Sequence, residues 1–299
     1  MSGERGGPGG PGPIAWIGDP WAGAWAGPAG TGHWGPPADL TIPLDDRGLL
    51  LADGLFETLR VGEGGALLLE EHLARWRQSA ALLGLAAPPP RPRLEALIAE
   101  AVAHSGGAAG ALRLNVSRGG GGRGLDPPPA ASPGPAGSTG RFWLSFTPGP
   151  AVFAPLHLVL SRLESRNAAS LLSHCKTFAY GSAIQARREA NARGADDALL
   201  ASSAGGLCCG TAANLLVRRG AIWLTPPLAS GALPGVMRGR ALALGLVREA
   251  SLSAADLTAA EAGLLINSLG CRPIRRFEEA DLPHLSPEQA EAFWRSLLP

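Results

Sequence analysis

The chain of 299 residues carries 26 basic side chains, and every one except Lys176 is arginine. Arginine serves wherever only a positive charge is needed. It cannot stand in for lysine where an amine must lose its proton and attack a carbonyl. Lys176 is therefore the first candidate for covalent chemistry. The sole tyrosine, Tyr180, follows four residues later, and in a helix the two would share a face. The alternative is coincidence in an arginine-biased composition. The four cysteines, Cys175, Cys208, Cys209 and Cys271, show neither a CxxC pair nor metal-ligand spacing, and the six histidines are scattered. Free thiols and no metal site are expected.

The elements that must position Lys176 are of mixed type. Residues 1–37 are dominated by Gly, Pro, Ala and Trp and read as a low-complexity tail or insertion, with Ala15-Trp16-Ile17 a short strand inside it. Residues 66–69 read as a strand. Helices follow over 70–85, burying Leu73, Trp76, Ala80 and Leu83, and over 93–104, burying Leu94, Leu97, Ile98 and Ala101. Leu112, Leu114 and Val116 alternate with polar residues, as do Phe142, Leu144 and Phe146, predicting two half-buried strands. Between them, 118–140 is a Gly/Pro/Ser segment of a length that signals function or disorder.

In the second half, strands are predicted at 156–161, 197–201 and 264–266, and a hairpin over 214–225 turns at Arg219-Gly220. Helices are predicted over 180–193, stopped by Gly194, over 236–247, entered through Pro234-Gly235, and over 287–297. Strands in runs mixed with helices indicate an α+β chain of two lobes. The domains read as 1–37, 38–148 and 149–299. The net charge of +1 leaves no electrostatic footprint for nucleic acid. No apolar run approaches the roughly 18–20 residues of a membrane span, and the N-terminus lacks a secretory signal pattern. A soluble cytoplasmic protein without nucleic-acid or membrane partners is the expectation.

Several segments stand in one order. They are Asp53-Gly54-Leu55-Phe56-Glu57-Thr58 after Asp46-Arg47-Gly48; Glu71-His72-Leu73-Ala74-Arg75; His174-Cys175-Lys176-Thr177 with Tyr180; Thr211-Ala212-Ala213-Asn214-Leu215; and Leu233-Pro234-Gly235-Val236-Met237-Arg238. This series, spanning roughly 42–274, resembles the class IV aminotransferases, the fold-type IV pyridoxal-phosphate enzymes. The resemblance implies a fold like that of D-amino acid aminotransferase, with a small α/β sandwich lobe and a larger barrel-like α/β lobe. It also implies a homodimer acting on a small amino substrate.

By the same resemblance, Lys176 forms the Schiff base with pyridoxal phosphate and shuttles the proton, and Tyr180 hydrogen-bonds the cofactor's phenolic oxygen. Arg75 and the turn Gly235-Val236-Met237 hold the phosphate, and Leu233 packs on the ring. Ser268 lies near the phosphate and Asn267 near the substrate. The segment from Ser117 to Gly124 resembles a loop of the aminodeoxychorismate lyases, whose second arginine, here Arg123, holds a substrate carboxylate.

One position departs from the family. Five residues before Asn214 the family places a glutamate against the cofactor's ring nitrogen; here stands Cys209. A carboxylate keeps that nitrogen protonated, whereas a neutral thiol is a weaker partner. The departure favours an aminodeoxychorismate lyase, whose aromatic product drives the reaction, over ordinary transamination. The lyase releases pyruvate and gives para-aminobenzoate for folate synthesis. The rivals are a branched-chain or D-amino acid aminotransferase and a non-catalytic relative of the fold.

Overall fold

The computed structural model describes residues 12–21, 32–62, 64–121, 124–126 and 140–299. The chain divides into two compact units, Met1–Pro150 and Ala151–Pro299.

The first unit holds strands β1 (Ile14–Gly18), β2 (His33–Gly35), β3 (Gly54–Gly62), β4 (Gly65–Ala66), β5 (Gly110–Ser117) and β6 (Arg141–Pro148), with helices α1 (Arg47–Leu51), α2 (Leu69–Leu83) and α3 (Arg91–His104). The strands form one antiparallel sheet in the order β2-β1-β6-β5-β3-β4. Strict alternation puts Leu112, Leu114, Val116, Phe142, Leu144 and Phe146 inward, all fully buried. The predicted helical faces are buried too, except that Leu83 is half-exposed at the end of α2.

One expectation is met here and one needs correction. The strand expected at Ala15-Trp16-Ile17 is β1, which pairs with β6 along its whole length, and Trp16 is fully buried beside Phe142, ring centroids 5.9 Å apart. Three apolar residues carry too little periodicity to reveal a partner strand more than a hundred residues away. The strand predicted at 66–69 ends at Ala66, since Leu68 turns into the left-handed region (φ 54°) and Leu69 already starts α2.

The second unit holds β7 (Leu156–Arg166), β8 (Asp197–Ser202), β9 (Leu207–Gly210), β10 (Asn214–Arg219), β11 (Ile222–Thr225), β12 (Val247–Glu249), β13 (Ala262–Asn267), β14 (Gly270–Phe277) and β15 (Ala280–Asp281). Its helices are α4 (Gly181–Ala192), α5 (Val236–Ala243), α6 (Ala254–Thr258) and α7 (Pro287–Arg295). The order β10-β13-β14-β7-β8-β9 closes on itself, because β9 also pairs with β10 through Cys209 opposite Asn214. Closure removes the sheet edges that would otherwise need cover.

One face of this barrel carries Leu158, Leu199, Leu215, Val217, Leu265 and Ile274. On the other, Ala186 and Ala190 of α4 pack on Val159, Ala198, Leu200, Cys208 and Cys209. Small residues on α4 let the helix approach this face closely. Helix α5 is shorter than its pattern predicted: Gly245 (φ 70°) turns the chain, and Val247 begins β12. The two-part α+β architecture with a barrel in its second unit is the one expected.

Candidate functional site

Lys176 lies in no helix. It sits between the single turn Leu171–His174 and α4, flanked by buried Cys175 and Thr177, and is itself half-buried. Its Nζ donates to the Tyr180 hydroxyl at 3.1 Å. The pairing foreseen from helical spacing therefore exists but has another cause: the chain bends so that Tyr180 becomes the residue preceding α4.

The approach to Lys176 is anchored from β7. Ser173 Oγ donates to the Asn167 carbonyl at 2.7 Å. Arg166 donates from Nη2 to the Ser173 carbonyl at 3.0 Å and from Nε to the Gly231 carbonyl at 3.1 Å. Arg166 thereby ties the segment entering Lys176 to the one entering Leu233. No motif in the sequence singled it out, because arginines are too numerous here to be informative.

Leu233, Gly235, Val236 and Met237 come together at the start of α5. Asn214 Nδ2 donates to the Leu233 carbonyl at 3.0 Å, fastening the turn to β10. A Cβ on Gly235 would lie 1.9 Å from Asn214 Oδ1, so glycine is required for that approach. No side chain caps α5, and the open amides of a helix N-terminus favour an anion such as phosphate. The preceding turn at 211–213 is held by Arg187 of α4, which bonds Asp197 at 2.9 Å and Thr211 at 2.6 Å.

Asn267 and Ser268 form the tip between β13 and β14. Asn267 is exposed; its Nδ2 donates to the Ala212 carbonyl at 3.2 Å and its Oδ1 accepts from Leu269 N at 2.8 Å. Trp294 of α7 donates to the Asn267 carbonyl at 2.9 Å. The tip thus abuts the same 211–213 turn.

At the position of the expected glutamate, β9 carries a bulge. Leu200 pairs with Cys209 while Ala201 pairs with Leu207, so Cys208 is the extra residue. A bulge interrupts the alternation that would send neighbouring side chains to opposite faces. Cys208 and Cys209 consequently share the face under α4, both buried. A hydrogen bond to Cys208, then burial, raise the Cys209 thiol well above its usual value.

In the first unit, Glu57 on β3 and His72 and Arg75 on α2 form one buried cluster. His72 and Arg75 are three apart and share a helical face. Arg75 grips Glu57 through Nε at 2.9 Å and through Nη2, while His72 Nδ1 lies 2.6 Å from Oε2. Burial alone would raise the Glu57 carboxyl; the charge of Arg75 and hydrogen bonds from Arg75 and His72 reverse this and hold it at about 2.

Nearby sequence motifs serve the loop after β5. Arg47 donates to the carbonyls of Gly124, Leu125 and Asp126 at 3.0–3.3 Å, and both Arg47 and Arg118 bond Asp53. Arg123 lies outside the described residues. Among those described, no group of three or more His, Cys, Asp and Glu side chains gathers to hold a metal.

Residues 54–277 match the family amino-transferase class IV. The chain belongs to this family. Three solved structures illustrate the likeness. A fold IV-transaminase from Curtobacterium pusillum is 25% identical, with a TM-score of 0.77 over 95% of this chain and 97% of that one. A 4-amino-4-deoxychorismate lyase from Pseudomonas aeruginosa is 30% identical, with a TM-score of 0.71 over 87% and 96%. A hypothetical aminotransferase from Mycobacterium tuberculosis in its PLP-bound form is 25% identical, with a TM-score of 0.73 over 89% and 95%.

This class IV protein is accordingly a pyridoxal-phosphate enzyme. Its residues suit that cofactor: an amine hydrogen-bonded to a phenol, and a glycine turn closed against Asn214 at an uncapped helix start. At position 209, where the resemblance implies a glutamate, the chain carries a thiol. Among the described residues, no helix is long and apolar enough to cross a membrane.

Proposed function

We propose that this enzyme is an aminodeoxychorismate lyase, releasing pyruvate from its substrate to leave para-aminobenzoate for folate synthesis, and that it works in the cytoplasm as a homodimer. The observation that carries this reading is Cys209, a buried thiol kept protonated where a glutamate is expected. Transamination depends on strong electron withdrawal through the cofactor ring. Elimination toward an aromatic product has its own driving force and tolerates a weaker sink. The likeness to the P. aeruginosa lyase at 30% identity points the same way.

Bound pyridoxal phosphate supplies the electron-withdrawing ring next to the substrate's amine-bearing carbon. In this reading Lys176 attaches the cofactor and then uses Nζ to take and return the proton at that carbon. The Tyr180 hydroxyl, 3.1 Å from Nζ, orients the amine. The start of α5 at Gly235, Val236 and Met237 binds phosphate, with Ser268 beside it, and Arg75 is carried over as a phosphate ligand from the resemblance alone. Leu233 packs against the ring. Arg123 holds a substrate carboxylate, and the hydrogen bonds from Arg47 to residues 124–126 steady its loop. Asn267 orients the substrate.

The test is turnover of aminodeoxychorismate by the purified protein, read as para-aminobenzoate fluorescence together with pyruvate release. Both products are expected, and both should vanish in Lys176→Ala. Efficient transamination of branched-chain or D-amino acids without pyruvate from aminodeoxychorismate would instead establish the aminotransferase reading. A protein that binds no cofactor would establish the non-catalytic one.

A further inference from the structure

The C-terminal helix α7 lies beyond residues 54–277, the part of the chain that matches the family. It starts on a capping box, Ser286 with Gln289, and buries Ala290 and Trp294. The Trp294 ring meets Phe153 edge-on, centroids 5.9 Å apart. A buried indole N–H needs an acceptor. Here the acceptor belongs to the tip between β13 and β14: Nε1 donates to the Asn267 carbonyl at 2.9 Å. Just past α7, Leu297 is fully buried, and its carbonyl accepts from Arg240 Nε of α5 at 3.1 Å. The C-terminal segment thus holds both the tip and the helix whose first turn is the proposed phosphate site.

These contacts close a ring of hydrogen bonds. Asn267 Nδ2 donates to the Ala212 carbonyl, and Asn214 Nδ2 donates to the Leu233 carbonyl ahead of α5. Arg240 leads from α5 to Leu297, and Trp294 leads from α7 back to Asn267. The tip itself is tight, since Asn267 pairs with Gly270, and the Leu269 carbonyl accepts from Val152 N at 3.0 Å.

We propose that Trp294 is a positioning residue: its indole N–H fixes the main chain at Asn267, so that the Asn267 amide meets the substrate from a set place. The inference rests on the reading of Asn267 as the residue that orients the substrate.

The amide of Asn267 divides its capacity. Its Oδ1 accepts from Leu269 N, and Nδ2 gives one hydrogen to Ala212. An amide nitrogen of this kind carries two hydrogens, and the second can donate to a ligand. It suits an acceptor such as a carboxylate. Where it points follows from the main chain, which the hairpin sets on one side and Trp294 on the other. A bond to the Asn267 carbonyl leaves the side chain to the substrate, which is what a positioning contact requires.

The test variant is Trp294→Phe, which keeps a ring against Phe153 and removes the N–H. Aminodeoxychorismate, D-alanine and L-leucine are assayed, and KM is read for whichever is turned over. It is expected to rise about fivefold, the equivalent of one net hydrogen bond, with kcat changed far less. A merely structural role would lower the yield of folded protein and leave KM alone. In parallel, the eight indole N–H signals of the 15N-tryptophan-labelled holoenzyme are followed by NMR as pyruvate is added. Pyruvate is a product of the lyase and of D-alanine transamination alike. The signal missing from Trp294→Phe is expected to shift. An unchanged KM overturns the proposal, as does a Trp294 signal that stays in place while pyruvate moves others. Turnover of D-alanine or L-leucine without aminodeoxychorismate removes the lyase reading and leaves this one to the measured KM. No turnover of any of the three and no response to pyruvate removes both.

Discussion

Each unit clamps an arginine, but the first buries Arg75 on a carboxylate, whereas the second holds a half-buried Arg166 on two backbone carbonyls. Arg75 holds Glu57 through two hydrogen bonds with His72 as a third partner, and the carboxyl stays charged down to about pH 2. Arg166 instead donates to the carbonyls of Ser173 and Gly231. A buried carboxylate and a guanidinium that match in geometry are costly to separate, because each leaves the other unpaired in a poor solvent. A backbone carbonyl carries no titrating proton. The first clamp therefore responds to acid, and the second has no pH dependence of its own.

The comparison can be broken first at Arg75. Arg75→Ala leaves Glu57 buried and charged, and the expected loss is about 3–5 kcal/mol of stability, measured by urea unfolding at pH 7. Glu57 has a depressed folded-state value, so its stabilisation is complete above its ordinary 4.5 and fades as pH falls through about 2. The gap between the two proteins should narrow over that acid range. A gap that is constant with pH would remove Glu57 as its cause.

Arg166→Met should behave differently. It removes the hydrogen bonds to the carbonyls of Ser173 and Gly231, and the expected loss is about 2 kcal/mol, equal at pH 6 and pH 9 by urea unfolding. A loss that grows between those two pH values would mean that Arg166 also balances a titrating group.

Cys209→Glu would bring a buried carboxylate to the second unit, as Glu57 does to the first. In the lyase reading, transamination of D-alanine should then rise about tenfold relative to pyruvate release, the equivalent of about 1.4 kcal/mol in barrier. Coupled assays of the two activities on one preparation measure that ratio. The smallest effect is expected at Tyr180→Phe. Removing one hydrogen bond to Lys176 Nζ should lower kcat about fivefold, near 1 kcal/mol; an unchanged kcat would sever the phenol from the chemistry.

Lys176 stood out in the sequence because composition isolated it, and the 233–238 turn because Pro-Gly before a helix is a local signal. Glu57 and His72 were visible as letters of motifs, yet their roles were not, since the pairing of β3 with α2 brings them to Arg75. Arg166 was invisible, being one arginine among 25. The strand at Trp16 was legible, but its partner was not, because β6 lies far along the chain. The spacing of Lys176 and Tyr180 suggested contact for a helical reason, and contact occurs through a bend instead.

By itself, then, the sequence singled out Lys176 as the candidate for attachment and determined the class of enzyme and most helices and strands, through a residue type that nothing else can replace, the order of the motifs and local periodicity. Tertiary structure alone decided what surrounds these residues. It closed the barrel at Cys209 and Asn214, put an extra residue into β9, and so turned two adjacent thiols to one side beneath α4. A bulge is a matter of register between two strands, and register is set by the pairing partner rather than by the residues of either strand alone.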